Sequence, residues 1–325
     1  MSDLRVGLIG LGMMGRHHAR VIREVDGLSL VAVADAIGDP HGVAGDLPVL
    51  GGVAELIDAG IDMAVCAVPT GMHEEVALAL ADAGVHTLIE KPIAHSIEAG
   101  ERLVQAFADR GVIGAVGHIE RYNPSLQSLR ERMANGDLGE IYQIATRRQG
   151  PFPARIADVG VVKDLATHDI DLTAWLAKSE YTSVSAQVTM RSGRPHEDMV
   201  AATGKLANGT ITNHLVNWLS PMKERVTVVT GERGAFVADT LTADLTFYAN
   251  GVVNTEWDSV ANFRGVVEGD VTRFAIQKRE PLRTEHEKFR DAVLGVAADV
   301  VTLHEGLNTL RTAERLLTSS GVGTG

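Results

Sequence analysis

The feature that most constrains this chain is a glycine run set directly behind its first apolar strand. Gly10-Leu11-Gly12-Met13-Met14-Gly15 follows Leu4 to Ile9. It opens a segment in which Met14, His18, Val21, Ile22 and Val25 recur at helical spacing. Between a strand and a helix, a G-x-G-x-x-G run reads as a dinucleotide-binding turn. The first glycine makes the tight turn, the second lets backbone N–H groups approach a pyrophosphate, and the third lets helix and strand pack closely. The helix N-terminus adds unpaired donors and partial positive charge. Gly10, Gly12, Met13, Met14 and Gly15 are therefore cofactor candidates. Asp35 ends the next apolar run, 20 positions past Gly15. A carboxylate there accepts from a ribose diol and repels a 2′-phosphate, and Ala36-Ile37-Gly38 supplies no arginine. NAD is expected over NADP.

The first 120 or so residues keep alternating short apolar runs with helical patterns, which predicts βαβ units and a doubly wound parallel sheet. Leu28 to Ala34, Met63 to Val68, His86 to Ile89 and Val112 to Val116 read as strands. Ser96 is placed to cap a helix running to about Arg110. Pro69 and Thr70, just past a strand end, are candidates to line the cofactor, and Glu90 and Lys91 follow at the next strand end. His73 reads as a capping or solvated residue, and Cys66 as a small buried hydrophobe.

The pattern then changes. Helices are expected over Pro124 to Ala134 and Lys163 to Leu176. Period-two strands are expected at Val184–Met190, Met199–Leu206, Thr210–Val216, Val226–Thr230 and Ala243–Ala249, with a final helix from Glu285 to Leu317. Asn208-Gly209 predicts a tight hairpin with positive φ at both central residues, and Asn250-Gly251 is similar. The expected architecture is α/β: a Rossmann domain over 1–120, then an α+β domain over 121–325 with a large, mostly antiparallel, open-faced sheet.

A net charge of −12 argues against nucleic acid or an anionic membrane surface as partner. One cysteine, no apolar signal core at the start and no apolar run near the roughly 18 residues of a membrane span predict a soluble, cytoplasmic protein. The 12 histidines form no H-E-x-x-H and have no cysteine partner, so no metal is expected.

Oxidation of a secondary alcohol needs a base beside the hydride acceptor. Lys91 stands just past a strand's carboxyl end, where open α/β sheets bind ligands. Taken alone it is equally a surface loop residue. Asp164 and His168, at i and i+4 of a helix, come within hydrogen-bonding reach, although such a pair alone is more often a helix-surface pair.

The glycine run, Glu90-Lys91-Pro92 and Asp164-x-x-x-His168 together resemble the oxidoreductases named after glucose–fructose oxidoreductase, inositol dehydrogenase and MocA, across essentially the whole chain. The resemblance implies Lys91, Asp164 and His168 as the catalytic group, with Lys91 and His168 both candidates for the alcohol proton and meeting at one substrate carbon. It also implies homodimers or homotetramers built through the sheet. Gly117 to Pro124, Gly150 to Ile156 and Asp158 to Asp164 are similar to the UDP-N-acetylglucosamine 3-dehydrogenases, with Tyr122 and Lys163 departing from that pattern. His118, Arg121, Asn123, Arg155 and Lys163 are the substrate candidates. Arg147, Arg148 and Lys223 add cations suited to a diphosphate. Two other readings stay open: an inositol or free-sugar dehydrogenase, which needs none of these cations, and a non-catalytic NAD-binding regulator.

Overall fold

In the computed structural model, residues 3–153, 159–251 and 267–321 are described. Two compact units form. One holds the residues up to Ile119 plus Glu280–Arg311, the other Glu120–Arg279 plus Thr312 onward.

The first unit is built on β1 (Leu4–Ile9), β2 (Leu28–Ala34), β3 (Val49–Leu50), β4 (Met63–Cys66), β5 (His86–Glu90) and β6 (Gly114–Gly117). They lie in the order β3-β2-β1-β4-β5-β6, every pair parallel. This is the Rossmann order, which reverses between β1 and β4. Helices α1 (Met13–Glu24), α2 (Val53–Asp58), α3 (His73–Asp82) and α4 (Ile97–Arg110) connect the strands. Parallel strands are covered on both faces, and β4 alternates accordingly. Met63 and Val65 join a core with Val6, Leu8 and Ile22, while Ala64 and Cys66 join Leu80, Ile89 and Leu103. Ser96 caps α4, accepting from the Ala99 N–H at 3.2 Å. Strand β3 and helix α2 are too short to leave a periodic signal.

The C-terminal helix expected from Glu285 to Leu317 is two helices: α7 (Pro281–Val293) and α8 (Leu303–Ser319). Gly295, at φ +75°, interrupts them. The expected second domain, 121–325, also loses 280–311 to the first unit. Leu282 and Phe289 bury in the core of Val6 and Leu8, and Val301, Leu303 and Leu310 in that of Ile89 and Leu103. Each such side chain contributes about 1.5–3 kcal/mol by burial, which fixes where the segment docks.

The second unit holds an eight-stranded sheet in the order β14-β13-β12-β11-β7-β10-β9-β8. The strands are β7 (Ile141–Pro151), β8 (Tyr181–Thr189), β9 (Met199–Leu206), β10 (Ile211–Asn217), β11 (Leu219–Gly231), β12 (Gly234–Asp239), β13 (Asp244–Gly251) and β14 (Val267–Arg273). All pairs are antiparallel except β7 with β10. Helices α5 (Pro124–Ala134) and α6 (Thr167–Ala177) supply Leu126, Leu129, Leu172 and Trp175 to its core. In β9, Val200, Ala202 and Leu206 are buried, while Ala201, Thr203 and Lys205 face outward.

Three local expectations are corrected. The helix expected from Lys163 begins as a π-helical turn, Val162–Ala166, and becomes α-helical only at Thr167. Asn208-Gly209 is not a two-residue turn with two positive φ angles. Only Gly209 has positive φ (+93°), and Leu206 N–H reaches the Thr210 carbonyl at 2.9 Å across three residues. Asn250-Gly251 ends β13, paired with β14.

His214 in β10 is 5% exposed, with Thr146 Oγ1 at 2.7 Å from Nδ1 and the Tyr181 hydroxyl at 2.9 Å from Nε2. Burial pushes its pKa down to about 4. Above pH 6.5 neither folded nor unfolded chain protonates it. Between 6.5 and about 4 the unfolded chain alone takes up the proton, so stability falls as pH falls, by about 3 kcal/mol across the window. Urea unfolding of His214→Gln should show a correspondingly shallower acid slope. A slope equal to that of the unsubstituted protein would contradict this.

Candidate active site

At the head of α1 the glycines do distinct jobs. Gly10 adopts φ +95°, and a Cβ there would sit 2.6 Å from the Val68 nitrogen. A Cβ on Gly15 would overlap the Gly10 carbonyl oxygen, whereas one on Gly12 would meet nothing within 4 Å. Helix α1 has no side-chain cap and no acid in its first turn, and Gly12 and Met13 are exposed while Met14 is half-buried. The first-turn N–H groups are thus left for an anion. Asp35 accepts from Leu11 N–H at 2.7 Å through Oδ2 and from Ile37 N–H at 2.8 Å through Oδ1. Each oxygen keeps a lone pair for a ribose hydroxyl. The residues fit NAD.

Pro69 and Thr70 follow the end of β4, Thr70 opening a short 3₁₀ turn. His73 is neither solvated nor a cap. It is 1% exposed, with Nδ1 2.9 Å from the Pro92 carbonyl and Nε2 3.0 Å from that of Val68. It ties the loop carrying Pro69 and Thr70 to the turn carrying Lys91. Lys91 is half-buried immediately after β5. The Glu90 side chain is held by neighbours in the chain. It is 8% exposed and turned inward, with Oε1 2.8 Å from His18 Nε2 and Oε2 accepting Lys91 N–H at 3.1 Å. His118, just past β6, is buried. Cys66 is fully buried and its thiol is pushed up to about 12 by burial, then by Glu90. That leaves no thiolate nucleophile.

In the second unit, Asp164 lines a cavity of about 380 Å³ together with Phe152, Trp218, Arg148, Lys223 and Arg225. Phe152 and Trp218 meet edge to face at 5.4 Å. The Trp218 indole N–H has no acceptor among the described residues. Asp164 is buried in the π-helical turn, and His168, four residues on, is half-buried in the first turn of α6. Such π turns recur at functional sites because they re-aim one side chain.

The expected substrate residues are mostly committed elsewhere. Arg121 is 4% exposed and grips Asp171 through two hydrogen bonds of 2.7 and 2.6 Å. Asn123 caps α5, its Oδ1 accepting from Ser125 N–H at 3.1 Å and its amide donating to the Thr240 carbonyl at 3.0 Å. Lys163 pairs with Glu314 at 2.8 Å. Arg155 lies outside the described residues. Arg147 reaches Glu224 at 3.3 Å. Arg148, 3% exposed, bridges Asp169 at 2.9 Å and Glu120 at 2.8 Å. Burial opposes the Glu120 charge, but Arg148 and Arg225 hold its carboxyl below the usual range. Burial lifts Asp169 above that range despite Arg148. Of the other cations on the cavity wall, Arg225 also reaches Glu120, at 3.3 Å, and Lys223 stands beside it. Arg225 and Trp218 carry no sequence signal, because the strand register alone brings them beside Asp164.

Among the described residues, no group of three or more His, Cys, Asp or Glu side chains is placed to hold a metal. No described helix is long and apolar enough to cross a membrane.

A Rossmann sheet with an open dinucleotide turn, joined in one chain to a mainly antiparallel sheet with its own polar cavity, defines a two-unit NAD-binding oxidoreductase. The chain belongs to the Gfo/Idh/MocA oxidoreductase family: residues 4–118 match its NAD-binding Rossmann fold and residues 126–237 its C-terminal domain. It is 32% identical over 297 residues, 90% of each chain, to the UDP-N-acetylglucosamine 3-dehydrogenase of Acidithiobacillus ferrooxidans. A solved structure of that dehydrogenase superimposes with a TM-score of 0.87 at 27% identity, covering 99% of each chain. The scyllo-inositol 2-dehydrogenase (NAD(+)) of Bacillus subtilis is 31% identical over 193 residues, 56% of each chain.

Proposed function

We propose that this enzyme oxidises a secondary hydroxyl of a sugar nucleotide, with C3 of a UDP-N-acetylhexosamine the first choice. The observation that carries this reading is the second-unit cavity, where Asp164 stands with Lys223, Arg225 and an aromatic wall. Guanidinium and ammonium groups suit a diphosphate, and an aromatic face suits a sugar ring or base. The likeness to a UDP-N-acetylglucosamine 3-dehydrogenase over 90% of the chain supports it. Bound NAD supplies the hydride acceptor. Lys91 and His168 are assigned the alcohol proton between them, and Asp164 the charge that favours a protonated base. The substrate thus loses one proton and one hydride and leaves as a ketone.

One observation favours a smaller polyol instead. Arg148 and Lys163 are neutralised within the chain, leaving fewer cations for a diphosphate. A panel of UDP-sugars, inositols and free hexoses, assayed with NAD and with NADP, separates the two. UDP-N-acetylglucosamine should give the highest kcat/KM, with NAD preferred. Turnover confined to inositols would install the polyol reading, and turnover of no panel member would remove both.

The outward face of the eight-stranded sheet is a shallow groove of about 660 Å³ whose walls include Ala201, Thr203, Leu215, Val226 and Val228. We assign a second copy of the chain to this face, sheet against sheet. Sedimentation should give a dimer or tetramer and Val228→Glu a monomer. A monomeric unsubstituted protein would refute the assignment.

A further inference from the structure

Asp164 owes its place to a segment far from it in sequence. The connection between β8 and β9 ends at Glu197 and Asp198, both buried. Glu197 reaches the head of the π-helical turn twice. Its carbonyl accepts Val161 N–H at 2.9 Å, and its Oε1 accepts Val162 N–H at 3.0 Å. The next residue extends the hold to the cavity wall, since the Asp198 carbonyl accepts Trp218 N–H at 2.9 Å. Asp198 Oδ2 accepts Arg191 N–H and Ser192 N–H, both at 2.6 Å, which pins the segment. Gly160 makes the arrangement possible. A Cβ there would overlap the Glu197 carboxylate, and the Gly160 carbonyl accepts Asp164 N–H at 3.1 Å.

We propose that Glu197 is a positioning residue for Asp164: seated against the bare Gly160 backbone, its carboxylate fixes the turn that presents Asp164 to the cavity. The proposal rests on the reading of Asp164 as a member of the catalytic group.

Hydrocarbon alone does not account for the orientation of the turn. Val161 and Val162 are fully buried beside Val200 and Val216. Such packing is non-directional, so it holds the segment down without choosing how the backbone winds. Hydrogen bonds are directional. The leading N–H groups of a helix lack intrahelical acceptors, and a polar side chain at the N-cap usually supplies one. Val161 stands at that position and has no such side chain, so the acceptor comes from 35 residues downstream of Val162. The carboxylate also faces the positive end of the helix that continues through α6. Toward α6 the turn is tied by Thr167 Oγ1, which donates to the Lys163 carbonyl at 3.0 Å. A buried carboxylate costs stability that an apolar side chain would not, so its use here points to the turn and not to the core.

The test uses the full-length protein with NAD and UDP-N-acetylglucosamine. Glu197→Ala should lower kcat by about 10- to 100-fold, the scale of a misplaced catalytic group, with KM for NAD unchanged. Glu197→Gln keeps the Oε1 acceptor and should restore most of the turnover. Gly160→Ala displaces only the far end of a flexible side chain, so it should fold and should match Glu197→Ala. Combining Gly160→Ala with Glu197→Ala should be no worse than either alone, because both act through one contact. Single effects that multiply in the double variant overturn the proposal, as does full kcat in Glu197→Ala beside an impaired Asp164→Asn. Hydrogen exchange over residues 159–168, read by mass spectrometry, reports the turn without turnover. It should quicken in Glu197→Ala and Gly160→Ala but not in Glu197→Gln, and exchange unchanged in all three overturns the hold on the turn. Full turnover in Asp164→Asn would instead remove the catalytic reading of Asp164, which the exchange result does not depend on, so the two failures are distinguishable.

Discussion

Lys91→Ala should lower kcat by about 10²–10⁴-fold, the loss typical of a general acid or base, while NAD affinity changes little. The side chain leaves the carboxyl end of β5, the edge at which open parallel sheets bind ligands, and its backbone N–H is tied to the Glu90 carboxylate at 3.1 Å. Its removal takes away the amine without altering the glycine turn or Asp35, which lie on other loops of the same unit. Steady-state kinetics paired with NAD titration separate the two effects. A fall in NAD affinity matching the fall in kcat would make Lys91 a cofactor anchor, and unchanged kcat would exclude it from the reaction. Methylamine rescue of Lys91→Ala would further support an amine that transfers a proton.

Arg148→Met should destabilise the protein by about 3–5 kcal/mol at neutral pH, the cost of leaving buried carboxylates without their cation. Arg148 is 3% exposed and is shared by Asp169 and Glu120, themselves 2% and 8% exposed. Arg225, 3.3 Å from Glu120, is left to compensate for both. The sign with pH follows from the stranded acids. Without Arg148 their folded pKa values rise above the unfolded ones, so the variant's deficit shrinks as pH falls and both take up protons. Urea unfolding at pH 7.5 and pH 5 measures both parts. A loss under about 1 kcal/mol, equal at the two pH values, would show that the network is solvated after all.

The first sheet was legible because parallel strands buried on both faces must be near-continuous hydrocarbon, and β2 and β4 are. The second sheet was legible only in part. Its central strand β7 reads Ile-Tyr-Gln-Ile-Ala-Thr-Arg-Arg-Gln-Gly-Pro, polar at most positions. Those polar groups are tolerated because Glu224, Asp169 and Glu120 come to meet them from distant segments. No local pattern announces such pairing. The same physics misdirected part of the site. Arg121 and Asn123 look like ligand-binding side chains until Asp171, Ser125 and the Thr240 carbonyl are brought beside them. Lys91 could be singled out because its signal is local, a Glu-Lys-Pro run at a strand end. Arg225 could not, since its place on the cavity wall exists only once β11 pairs with β7.

The return of residues 280–311 to the first unit bears on how the protein is made. When a ribosome has released only the first 119 residues, the sheet can pair but one of its faces lacks Leu282 and Phe289, and His18 lacks the imidazole beside it. Some 160 residues must still be synthesised before that face is sealed, at roughly 5–20 residues per second. For those seconds the nascent dinucleotide unit presents a greasy, half-finished surface. Growth temperature and holdase chaperones should therefore govern the yield of this enzyme more than its final stability does.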